Sequence, residues 1–162
     1  PNAINVDWVK ALGANPTPMA FPEVYAALEQ KAIDAQENPL NVILANKFYE
    51  VQKHLALTNH QYNPQSLIFS KKVWDGLAEG DRKVLQDAAN EASKFQRKTS
   101  RDASATTLDA LKKAGMQVTE LSAAEQEELR TKLKPVIDKH GAAIPATVAE
   151  LQAELARIRA AK

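Results

Sequence analysis

No cysteine occurs among the 162 residues, which excludes disulfides, thiol nucleophiles and cysteine-held metals. The same absence suits a reducing cytosol and an oxidising periplasm equally. No apolar run approaches the roughly 20 residues needed to cross a bilayer, so membrane insertion is not expected. An excess of one charge is missing too: 21 Lys and Arg against 20 Asp and Glu leave a formal +1. That balance offers no field to recruit nucleic acid or an anionic surface. Histidine is scarce, and His54, His60 and His140 lack the paired spacing of a helical zinc site. There is no H-E-x-x-H, G-x-S-x-G or G-x-x-x-x-G-K-[ST] phrase. We assign no metal, no cofactor and no catalytic residue. The chain also opens Pro1-Asn2-Ala3-Ile4 instead of a Met followed by a charged and then apolar leader, so an upstream segment is expected to have been removed.

What is present is ordinary for a globular domain, with 44% apolar and 25% charged residues. Trp8, Val9, Ala11 and Leu12 form an apolar stripe that Gly13 should end. The two prolines of Asn15 to Phe21 predict an extended segment. Pro22 and Glu23 suit a helix start, and helical spacing runs toward Asp34 before Asn38-Pro39 forbids continuation. Residues 40–57 read as helix, with Phe48, Val51 and Leu55 as its buried stripe and Lys47, Glu50 and Lys53 in water. A polar turn follows, and Gln65 to Ser70 reads as a strand. Asp81 to Ala114 contains no Pro and no Gly, and predicts one long helix with Val84, Leu85, Ala88, Ala92, Phe95, Leu108 and Leu111 on buried faces. Gly115 should close it, Met116 to Leu121 alternates as a strand, and Ser122 with Glu125 forms a capping box. Pro135 is expected to kink the next helix before Gly141 ends it. Thr147 with Glu150 reads as a second capping box, and Val148, Leu151, Leu155 and Ile158 put one apolar face on the last helix. We expect His54 on a helix face and the other two histidines in loops. The sum is an α/β chain with few strands and many helices.

Three phrases stand out: Gly13-Ala-Asn-Pro-Thr-Pro-Met-Ala-Phe-Pro-Glu-Val-Tyr25, Asp34-Ala-Gln-Glu-Asn-Pro39, and Lys47-Phe-Tyr-Glu-Val-Gln-Lys53 followed by Leu57-Thr-Asn-His60. In this order and spacing they resemble the middle and C-terminal parts of solute-binding proteins of tripartite ATP-independent periplasmic (TRAP) transporters. The likeness runs from residue 1 to about residue 141, with residues 142–162 as a C-terminal helix of the same domain. It implies a periplasmic, two-lobed flytrap α/β fold, with a long helix across the lobes, of which the N-terminal half is missing here. It further implies capture of a small organic acid, such as a C4-dicarboxylate or sugar acid, and delivery to the TRAP permease membrane subunits. A selectivity arginine of the family would fall just before Pro1.

Matching the motif, Asn38 falls at a substrate-contacting asparagine, and Pro39 independently forces it out of helix, so that its amide can face a cleft. Phe21 falls at an aromatic that packs on ligand, Gln65 at a polar cleft position, and Asn2 near the stretch after the missing arginine. Two departures from the family pattern are visible. Ala35 replaces a common glycine, and Ala78-Glu79-Gly80-Asp81 replaces a Ser-Pro-Glu-Asp type of start, so the long helix lacks a capping hydroxyl and its start is expected to fray. Against binding stand two other classes. One is a helical interaction module using the apolar face of Thr147 to Ala161. The other is an enzyme using Glu23, Asp34 or Glu37 as general base, with no nucleophile or metal beside them.

Overall fold

A computed structural model describes residues 2–161. They form two compact units, residues 2–27 with 121–161, and Leu28–Glu120.

In the first unit, α1 (Ala3–Ala11) is capped by Asn2, whose side chain accepts from the Asn5 amide at 2.9 Å. It ends as expected at Gly13, which has φ 83°. After the extended segment comes a short 3-10 turn, Phe21–Glu23, with Pro22 in its first positions, leading into α2 (Val24–Glu29). α1 packs on α6 (Ala123–Gly141). Ser122 and Glu125 make the predicted box: the Glu125 amide donates to the Ser122 hydroxyl, and the Ser122 amide donates to the Glu125 carboxylate at 2.7 Å. The helix runs on through Pro135. α7 (Pro145–Ala160) starts at Pro145, with Ile144 as its cap and no capping side chain. The second predicted box is therefore not formed, because proline at the first helical position sets the start two residues before Thr147.

In the second unit, α3 is Leu40–Ala45, and a left-handed Lys47 (φ 56°) ends it before the 3-10 turn Phe48–Glu50. Residues 54–57 are then not helix but strand β1 (His54–Leu57), paired in parallel with β2 (Gln117–Glu120), Leu55 opposite Val118. Leu55 and Leu57 fit a strand's alternation as well as a helix stripe, and long-range pairing decides between them. Parallel strands need a long crossover, which α4 (Lys71–Gly76) and α5 (Glu79–Lys113) supply. α5 is unbroken, as expected, and starts on Ala78 without a side-chain cap; Gly115 (φ 94°) closes it. Its burial differs from expectation. Thr107 and Leu111 are buried, whereas Val84, Leu85 and Phe95 are exposed, so only its C-terminal turns lie in the core. Leu28, Ile43, Phe48, Leu55 and Met116 complete that core, and α3 packs on α5. Two further expectations fail. The helix after Pro22 stops at Glu29, with Lys31 left-handed (φ 59°), well before Asp34. Residues 65–70 are irregular and exposed, and no strand pairs with them among the described residues.

Candidate functional site

Asn38 lies half-buried in the irregular turn between Asp34 and α3, outside any helix, as the position before Pro39 favours. Its Nδ2 donates to the Gln36 Oε1 at 2.6 Å, so neighbouring side chains of the same turn orient the amide. The turn also reaches the loop that leaves the carboxyl end of β1. There Asn59 is left-handed (φ 48°), His60 Nδ1 lies 2.6 Å from the Thr58 hydroxyl, and His60 Nε2 lies 3.4 Å from the Glu37 carboxylate. Gln52 closes the same region from behind, its Nε2 donating to the Asp34 carbonyl at 3.2 Å. Loops at strand carboxyl ends are where α/β sheets hold ligands. Sequence reasoning placed Asn38 here but left Glu37 and His60 apart. Only the Leu57-Thr-Asn-His60 phrase signalled the loop, and nothing local to it shows that it meets residue 37.

The other candidates sit elsewhere. Phe21 opens the 3-10 turn of the first unit and is 46% exposed, more than a core phenylalanine would be. Asn2, also in that unit, uses its side-chain oxygen to cap α1. Gln65 lies exposed in the irregular segment after the His60 loop. His54 is in β1 and not on a helix, and His140 is in the last turn of α6 and not in a loop. His140 Nε2 lies 2.8 Å from the Asp7 carboxylate, and Lys139 donates to the same oxygen at 2.7 Å. Those two bonds, Lys139 first, hold the Asp7 carboxyl below the usual aspartate range. Among the described residues, no group of three or more His, Asp or Glu is placed to hold a metal ion, and no helix is long and apolar enough to cross a membrane.

An amide oriented by Gln36, in a turn that meets the loop after β1 through Glu37 and His60, offers a donor and an acceptor to a polar ligand. The chain belongs to the family described as bacterial extracellular solute-binding protein, family 7, which it matches over residues 1–143. It is 44% identical over 115 residues to the 2,3-diketo-L-gulonate-binding periplasmic protein YiaO of Escherichia coli (strain K12), covering 71% of this chain and 35% of that protein. It is similar to a solved TRAP periplasmic solute-binding protein from Ochrobactrum anthropi, whose C-terminus is bound in its ligand-binding pocket. The TM-score is 0.91 with 50% identity, covering 100% of this chain and 51% of that one. A TRAP periplasmic solute-binding protein from a Polaromonas species, bound to D-erythronate, matches with TM-score 0.83 and 45% identity over 94% of this chain and 50% of that one. The chain thus spans from about a third to half the length of these relatives. Its α/β fold, with the long α5, is a part of the flytrap fold of TRAP binding proteins. The family is one of transporter binding proteins and not of enzymes, and the relatives named for diketogulonate, sialic acid and C4-dicarboxylate binding are named as periplasmic.

Proposed function

We propose that this chain is the C-terminal portion of a TRAP solute-binding protein, residues 1–141 with 142–162 as its last helix. The whole protein captures a small organic acid anion, a C4-dicarboxylate or a sugar acid, and hands it to the TRAP permease membrane subunits. The family match over residues 1–143 carries this reading. The geometry around Asn38 supports it. A side-chain amide has two N–H donors and an acceptor oxygen, and the bond to Gln36 engages one donor. Asn38 is proposed as a contact to a carboxylate or hydroxyl of the acid. Phe21 is proposed as an apolar surface against its carbon chain, and Gln65 and Asn2 as further polar contacts, each on its place in the family pattern.

The test is thermal unfolding of the full-length protein with a panel of C4-dicarboxylates, aldonates and uronates. A ligand at 100 times its Kd stabilises the bound state by about 2.7 kcal/mol, which gives a readily measured rise in Tm. A flat response to every acid would overturn the reading.

A further inference from the structure

Gln36 lies two residues before Asn38 and is half-buried like it. Its Oε1 accepts one N–H of the Asn38 amide at 2.6 Å. The turn that carries both residues is tied on either side of them. The Asp34 carbonyl accepts from Gln52 Nε2 at 3.2 Å, the Glu37 carboxylate lies 3.4 Å from His60 Nε2, and the ring of Pro39 holds φ at −60°. All of these residues belong to the second unit, so the arrangement needs nothing from the first.

An asparagine amide has two N–H donors and one acceptor oxygen. With one donor given to Gln36, Asn38 can offer a ligand at most one donor and its Oδ1. A carboxylate only accepts, so it can use the donor but not the oxygen. A hydroxyl accepts and donates, and can use both. If the bond ran the other way, with Gln36 donating to Oδ1, Asn38 would present two donors and suit a carboxylate. The direction of one hydrogen bond inside the turn therefore decides which group the amide recognises.

We propose that Gln36 is a positioning residue that sets the specificity of Asn38. By accepting one N–H it makes the amide a hydroxyl-recognising group, so that the whole protein prefers a hydroxylated acid to the same acid lacking that hydroxyl. This role rests on Asn38 being a ligand contact, as proposed above, and names the group of the acid that it meets. Where the hydroxyl is missing, Oδ1 is left unsatisfied in a cleft closed on its ligand. A group left in that state corresponds to about 5- to 150-fold in Kd.

The test is calorimetric titration of the full-length protein with malate against succinate, and with gluconate against its singly deoxygenated analogues. In the parent, loss of one hydroxyl should weaken binding by about 5- to 150-fold. Because any contact to a hydroxyl gives such a loss, the ratio within each pair is measured again in variants whose folding is checked by thermal unfolding. Gln36→Leu, which has no acceptor, should bring the ratio for that hydroxyl close to one. Gln36→Glu can only accept, permits only the observed direction of the bond, and should keep the ratio. In an Asn38→Ala background, Gln36→Leu should change the ratio no further, as for a residue that acts through Asn38. A merely structural Gln36 would weaken both acids of a pair alike. A ratio unmoved by Gln36→Leu, a ratio lost in Gln36→Glu, or a parent that binds both acids of every pair equally would each overturn the proposal. A parent that binds none of these acids would overturn the organic-acid reading itself, and this role with it.

Discussion

Leu111→Ala tests where α5 is anchored. Leu111 is fully buried, at 0% exposure, in the C-terminal third of a 35-residue helix whose first two-thirds face outward. Truncation removes three buried carbons, a transfer loss of about 2.4 kcal/mol at about 0.8 per carbon. A residual void on the order of 50 Å3 adds about 1 kcal/mol more, for a total near 3.5. Val84→Ala in the same helix is the internal control. Val84 is 68% exposed, and a surface change of this kind is expected to cost about 0.5 kcal/mol or less. In urea unfolding followed by far-ultraviolet circular dichroism, a slope near 1.5 to 2 kcal/mol/M converts the Leu111 loss into a midpoint shift of about 2 M. The Val84 variant should move by no more than about 0.3 M on the same slope. Equal shifts for the two variants would refute the placement of the core at α3 and the last turns of α5.

Two further outcomes follow from the first unit. Ser122→Ala removes one half of a reciprocal cap and should destabilise by about 1 kcal/mol in the same assay, with Ser122→Thr largely restoring it; no loss would mean that the cap contributes nothing. The Asp7 pKa is depressed in the folded chain by Lys139 and His140, so the clasp stabilises fully above the ordinary aspartate range and its contribution disappears as pH falls through the lower folded value. Asp7→Asn should therefore be less stable than the parent at neutral pH and indistinguishable from it once pH falls well below about 4; a constant difference across that range would contradict the assignment.

The residues that could be read from sequence are those with a local cause. Gly13 and Gly115 end their helices in left-handed geometry, Ser122 and Glu125 cap reciprocally, and the run after Gly80 continues because nothing interrupts it. What escaped has distant causes. Lys31 and Lys47 take left-handed conformations without being glycine, so neither helix end is marked in the sequence. β1 exists because β2 pairs with it from 63 residues further along the chain, and a local pattern cannot count such a partner. Gln65 to Ser70 has strand-like composition but no partner strand among the described residues, and the stripe of Val84, Leu85 and Phe95 likewise shows period without burial. At the candidate site, the break in helix at Asn38 was legible because proline constrains the residue before it. Glu37 meeting His60 was not, since their approach depends on how two loops pack.

Calorimetric titration of the full-length protein, parent and Asn38→Ala, with C4-dicarboxylates, aldonates and uronates tests the binding claim most directly. The parent should bind at least one acid saturably. The variant should bind that acid with a loss of about 1 to 3 kcal/mol, roughly 5- to 150-fold in Kd, because a charged or hydroxyl partner loses its donor. An absence of binding to every acid by the parent would contradict the account at its centre.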